Sequence, residues 1–401
     1  MSLIFESELS KQQPAGAYTH VLLVGCGAYP GLAAAALGGL APLTSPRISA
    51  HAMADWFLGG ADAMPTGQGG PSSQAFYHPD APLGSLAMLT SPGGAYTTPA
   101  GSEMEVARPT LKNIKSEYLA WLKRLGSNPG SRGVFYFCGH GLSNGITQFL
   151  VADDYGEEGD ADDDWPSLFH VSNTCQAAIR KTPANLFFFL DACLEINEEI
   201  TSQLDEPRGL IKGTRTGKPL TSNWSVLRAA TTNRKAYAPK GQVARFTDAL
   251  LQALRGRCGT QSDHGTHYEV CASNLRDATS AILQHSQRSM TGGIQALGPT
   301  DGEGGWDVPL HVQTDRPTVL VELDILPSGY RTVGQVFAAA PNSKLLTKAL
   351  GSGPASFVGA NGEWTLGTAS TNGQYAEQVF SNQLLTRAVH SRCFHVKGGA
   401  E

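Results

Sequence analysis

The sequence predicts an α/β fold, a mostly parallel sheet with helices on both faces, followed by a small β-rich C-terminal unit. Three observations carry this. Near-continuous apolar runs of strand length occur at His20–Gly25 (HVLLVG), Gly133–Cys138 (GVFYFC), Asn185–Leu190 (NLFFFL) and Ser225–Ala230. A strand apolar throughout is buried on both faces, as strands of a parallel sheet are. Segments with helical periodicity alternate with these runs. After Arg316 the texture changes to strand-like runs separated by Gly and Asn turns.

The first run, HVLLVG, is closed by glycine and reads as a buried strand. Ser45–Leu58 follows as a helix, with Ile48, Met53, Trp56 and Phe57 giving an apolar face. Gly59–Leu83, rich in Gly, Pro, Ser and Ala, reads as a long loop, and Leu86–Thr90 as a second strand. Thr110 is suited to cap a helix whose face carries Ile114, Tyr118, Leu119, Leu122 and Leu125. Helical patterns recur near 172–181, 245–255 and 270–286. In the last part Val319–Leu326, Arg331–Phe337 and Glu363–Leu366 read as strands. The expected division is an α/β domain over 1–315 and a β-rich domain over 316–401.

Composition narrows the functional classes. Hydrophobic residues are 41% of the 401, enough for a large core, and the net charge is -5. With no basic stripe, nucleic acid is not the expected partner. Seven cysteines, an odd and scattered set with several inside apolar runs, fit a reducing compartment better than a disulfide framework. The opening MSLIFESELSKQQPAG has no apolar core of a leader, and no run approaches the roughly 18 apolar residues of a membrane span. The expectation is a soluble, cytoplasmic protein with no membrane partner.

Two of the buried strands end in reactive residues, and in open α/β sheets sites form at the carboxyl ends of strands. FYFCGHGLSNG places His140 between Gly139 and Gly141, and FFFLDACLE places Cys193 just past its strand. A thiolate nucleophile needs a nearby imidazole, which also protonates the leaving amine. The flanking glycines leave room for a peptide, and the N–H groups of Gly141 and Cys193 are candidate oxyanion donors. The alternative is that both residues are structural. Two such residues at two strand ends favour catalysis.

GVFYFCGHG and NLFFFLDACLE resemble the His and Cys blocks of the caspase-like peptidases, a group that includes caspases, metacaspases and bacterial relatives such as CHAT proteases. HVLLVGCGAYP is similar to the first strand of that fold, and FLVADDYGEEGDADDDW to the stretch after the metacaspase histidine. The likeness spans about residues 15–315 and is specific in the His and Cys blocks. It implies a caspase-like α/β/α sandwich and a cysteine endopeptidase using His140 and Cys193, with protein or peptide substrates and roles in bacterial signalling or defence. The caspase form QAC-R-G is replaced by DAC-L-E. Asp191 matches the metacaspase position that selects Arg or Lys at P1, with Arg favoured by its planar fork. The alternative for Asp191 is capping of local backbone amides.

The same resemblance raises calcium at the acidic stretch Asp153–Asp164, although its spacing fits no specific calcium loop and a solvated acidic surface is the competing reading. No other cofactor is expected. The polar connector after Cys193 carries Arg208, Lys212, Arg215 and Lys218, each a candidate site of self-cleavage. The competing reading is a flexible loop kept soluble by its basic residues. Cys258, His264, His267 and Cys271 lie within fourteen residues but match no zinc pattern. Gly25, Gly27 and Gly31 imitate a dinucleotide fingerprint with the wrong spacing and no acidic partner. The rival functions are therefore a catalytically inactive caspase-fold scaffold and a nucleotide-binding enzyme built on the Gly25 loop.

Overall fold

Five parallel strands form the spine: Leu83–Thr90, Thr19–Gly25, Arg132–Gly139, Asn185–Ala192 and Asn223–Arg228, in that spatial order. Leu3–Glu6 and Asp301–Gly304 add antiparallel edges on either side. The computed structural model describes residues 2–33, 41–59, 75–143, 147–157, 167–193, 195–196, 208–212, 218–221, 223–230, 236–237, 239–288 and 294–397.

The inner strands are unbrokenly apolar because each feeds two cores. Val134, Tyr136, Cys138, Phe187 and Phe189 face one cluster, with Met53, Trp56, Phe57, Phe246, Leu250 and Ile282 from three helices. Those helices are Ser45–Leu58, Arg245–Gln252 and Ala272–Gln287. Phe135, Phe137, Leu186, Phe188 and Leu190 face the other, beneath the helices Leu111–Leu125 and Val171–Ala178. Period-two alternation thus divides one apolar run between two cores. The helix over 111–125 is capped as expected, Thr110 accepting the Asn113 N–H at 3.2 Å. Its buried stripe is Ile114, Tyr118, Trp121, Leu122 and Leu125. Leu119, expected on that stripe, is 45% exposed, because one helical step past Tyr118 rotates it about 100° away.

The C-terminal part consists of two antiparallel-rich sheets. One orders Ala355–Ala360, Thr318–Leu326 and Val389–His395, and the other orders Leu346–Ala349, Gly334–Ala339, Gly362–Ser370 and Gln378–Leu385. Their common core holds Val319, Val321, Leu323, Ile325, Val336, Trp364 and Phe394. The expected strand Arg331–Phe337 is corrected here: Ser328–Val333 is a 3-10 turn and the strand starts at Gly334. Arg331 turns back to donate from Nε to Asp324 at 2.7 Å, which holds the turn out of the sheet. This unit is tied to the α/β part by Arg288 to Glu322 at 2.9 Å and by Thr318 donating to the Gly256 carbonyl at 3.2 Å. Among the described residues no helix is long and apolar enough to cross a membrane.

Candidate active site

The strands Arg132–Gly139 and Asn185–Ala192 pair in parallel along their whole length, and the last pair in register is Gly139 beside Ala192. The next residues are His140 and Cys193. Both therefore leave adjacent central strands at the same level, at the carboxyl end of the sheet. Gly141 is needed there because a Cβ would come 2.3 Å from the Cys193 carbonyl oxygen. The two segments keep company beyond the site, Leu142 pairing with Glu195 and Ser143 with Ile196.

The imidazole is oriented by main chain. His140 Nε2 lies 2.6 Å from the Ala41 carbonyl oxygen. A carbonyl only accepts, so Nε2 carries a proton. The His140 carbonyl accepts the Val151 N–H at 3.1 Å. At the sulfur, the Ala236 N–H donates to Cys193 Sγ at 3.3 Å. A donor aimed at sulfur stabilises a thiolate. Cys193 is half-buried, whereas Cys26, Cys138, Cys175, Cys258 and Cys271 are buried. Burial pushes the Cys175 and Cys271 thiols up to about 12 and those of Cys26 and Cys138 well above their ordinary value. Those thiols are packing groups.

Asp191 lies two residues before Cys193 and projects to the same sheet face. It is 3% exposed. Its Oδ2 accepts the Thr247 N–H at 3.2 Å and the Thr247 hydroxyl at 2.5 Å. The Thr247 hydroxyl spends its proton on Asp191, so Tyr136, 2.6 Å away, donates to Thr247. Burial pushes the Asp191 carboxyl up to about 6, against the Thr247 hydrogen bonds that lower it. The amide it accepts from is 56 residues away in sequence, on the 245–252 helix, and is not one of the local amides weighed as the alternative to the pocket role.

The caspase-domain model of the C14 peptidases matches residues 19–293, about two thirds of the chain. The chain belongs to the caspase-domain family. The uncharacterized protein y4kE of Sinorhizobium fredii (strain NBRC 101917 / NGR234) is 50% identical over 346 residues, 86% of this chain and 99% of that protein. A crystal structure of caspase-1 from Spodoptera frugiperda aligns with 10% identity and a TM-score of 0.37, covering 72% of this chain and 86% of that one. The family is one of cysteine peptidases.

Within this caspase domain the acidic stretch begins as framework. Asp153 is buried and accepts from Tyr29 N at 3.1 Å and from Arg108 Nε at 2.7 Å. Asp154 accepts the Leu111 N–H at 2.9 Å at the start of the 111–125 helix, and Glu157 pairs with Arg108 at 2.7 Å. Glu158, Asp160 and Asp162–Asp164 lie outside the described residues. Among the described residues no cluster of His, Cys, Asp or Glu could hold a metal. Cys258 and Cys271 instead donate to the Ala253 and Asp307 carbonyls at 3.4 and 3.2 Å. Gly31 packs on the backbone of Gly156 and Glu157, so the glycine loop is filled by protein.

Among its described residues the connector is packed in part and exposed in part. Arg208 receives the His170 N–H at 2.8 Å, Leu210 N donates to Thr174 at 3.0 Å, and Leu210 and Ile211 are buried. Two apolar residues in a polar stretch found the face of the 171–178 helix. Lys212 and Lys218 are exposed, and Arg215 lies outside the described residues. Sequence reasoning missed Tyr29, Ala41, Ala236 and Thr247. Three of them act at least in part through backbone groups, for which a sequence carries no signal.

Proposed function

We propose that this protein is an active cysteine endopeptidase in which Cys193 and His140 form the catalytic dyad. The observation that carries the reading is the registered end of the two central strands, Gly139 beside Ala192. In the proposed reaction Cys193 Sγ attacks the scissile carbonyl carbon, and the carbonyl π electrons move onto oxygen. The N–H groups of Gly141 and Cys193 are the proposed donors to that oxyanion. Collapse breaks the C–N bond as imidazolium His140 protonates the departing amine, leaving an acyl-thioester. His140 then takes a proton from water, whose oxygen attacks the thioester and returns the thiolate.

We assign Asp191 to selection of Arg over Lys at P1. It sits on the face of the thiol, two residues or about 7 Å down the strand, a depth suited to a long basic side chain. A buried carboxyl pushed up to about 6 gains most from an incoming guanidinium, which restores its charge. The reaction as written uses no metal or cofactor, and a cytoplasmic role in bacterial signalling or defence is the setting proposed. A cleavage profile of a peptide library by the purified protein, beside Cys193→Ala, tests the reading. Cuts after Arg, fewer after Lys and none in the variant are expected. Cleavage after Asp refutes the Asp191 assignment, and undiminished cleavage by folded Cys193→Ala refutes the dyad.

A further inference from the structure

Tyr29 stands out as a buried, bulky residue in a backbone conformation that such residues avoid. It follows the strand Thr19–Gly25, has φ 44°, and is fully buried. A non-glycine residue in the left-handed region persists where its surroundings over-determine it. Here they do. Tyr29 N donates to Asp153 Oδ1 at 3.1 Å, and the other oxygen of that buried carboxylate is held by Arg108 Nε at 2.7 Å.

The side chain leads to the candidate site. The Tyr29 hydroxyl accepts the His140 backbone N–H at 2.8 Å and donates to the Val151 carbonyl at 3.4 Å. Its ring lies against the imidazole, with centroids 4.9 Å apart and planes at 45°. Val151 N in turn donates to the His140 carbonyl. Both main-chain groups of His140 and one face of its ring therefore rest on a unit made of Tyr29 and Val151. The phenol supplies an acceptor for the His140 N–H just past the end of its strand.

We propose that Tyr29 is a positioning residue for His140, fixed in its strained conformation by the Arg108–Asp153 pair, and that it sets the imidazole against Cys193. This rests on the dyad proposed above. The imidazole meets the Ala41 carbonyl and the phenol ring of Tyr29, while Asp153 and Arg108 act through Tyr29. Tyr29→Phe keeps the ring and removes the acceptor, so the imidazole gains freedom while substrate contacts stay. A small misplacement of a catalytic group lowers turnover steeply.

The test measures Cys193 alkylation by iodoacetamide against pH, quantified on the Cys193 peptide by mass spectrometry. The background is Cys393→Ser, which removes the exposed competing thiol. The variants are His140→Ala, Tyr29→Phe and, as a milder change on a partly exposed side chain, Arg108→Gln. In the parent, an imidazolium–thiolate pair keeps alkylation going below the ordinary thiol range, and His140→Ala loses this limb. Tyr29→Phe is expected to move the midpoint about half a unit or more toward His140→Ala. It should also lower kcat on a peptide about tenfold with KM nearly unchanged. Arg108→Gln should move the midpoint less, in the same direction. A purely structural role changes the folded fraction and leaves the midpoint in place. Parental midpoints in both Tyr29→Phe and Arg108→Gln overturn the inference, and if Tyr29→Phe does not fold, a parental midpoint in Arg108→Gln does so. An unchanged profile in His140→Ala overturns the dyad itself, and this inference with it.

Discussion

Replacing Asp191 by asparagine separates the charge of that carboxyl from its shape. Asparagine keeps a carbonyl oxygen to receive the two Thr247 donors, but it cannot ionise. Burial raises the folded carboxyl to about 6 from 3.8, and a shift of about two units is worth ~3 kcal/mol. Because the folded value is the higher one, the cost is absent below about pH 4, where both states are protonated. As pH rises from 4 to 6 the unfolded chain ionises first and stability falls. Above 6 the full cost is present. The variant lacks this slope, so its stability relative to the parent should rise by about 2 kcal/mol between pH 4 and pH 7.5. The offset from the amide's own hydrogen bonds is constant with pH and drops out. Urea unfolding across that range, in a Cys193→Ala background to prevent digestion, measures the gap. A gap that does not change with pH refutes the reasoning. With intact Cys193, the same substitution should lower kcat/KM on Arg substrates at least about thirtyfold, the equivalent of ~2 kcal/mol.

Cys193→Ala and His140→Ala should each abolish peptidase activity while shifting the unfolding midpoint little, since both side chains lie at the surface end of the sheet. Denaturation curves measured beside the activity check this, and a large loss of stability in either would contradict it. Self-cleavage is expected within Arg208–Lys218 and favoured at Lys212, Arg215 or Lys218, because Gly209–Ile211 is packed on the 171–178 helix. Intact-mass comparison with Cys193→Ala decides it, identical masses ruling it out. Chelation should leave activity unchanged, because Asp153, Asp154 and Glu157 already serve Tyr29, Arg108 and Leu111. Activity lost on chelation and restored by calcium alone would assign a metal to the acidic stretch.

The parallel strands were legible because burial on two faces leaves no polar residue to break the run, as NLFFFL shows. His140 and Cys193 were legible for the same reason: each follows such a run at once. The short strands were not. Gly141–Ser143, Leu168–His170 and Asp301–Gly304 are three or four residues long, too short for a period, and they form because a neighbouring strand is already placed. Asp153 looks like any acid in an acidic run, and only the fold reveals that it is buried while Glu157 remains half in water. Tyr29 and Ala41 reach His140 from 111 and 99 residues away, a separation no local pattern encodes. Leu210 and Ile211 were visible as apolar residues, but their setting among Arg, Lys, Gly and Thr hid them.

The last strand of the central sheet bears on how copies of this chain can meet. Asp301–Gly304 is four residues long and carries Gly302 and Gly304 in left-handed conformations, φ 149° and 23°. Asp301 is also drawn inward to Arg228 at 2.6 Å. Its outer rim is therefore short, bent and acidic, a poor template for a further strand. At the opposite margin the register of Leu3–Glu6 slips between Leu3 and Phe5, which interrupts that edge too. Among the described residues neither margin offers a straight ladder along which a second molecule could extend the sheet, so strand addition is disfavoured at both ends.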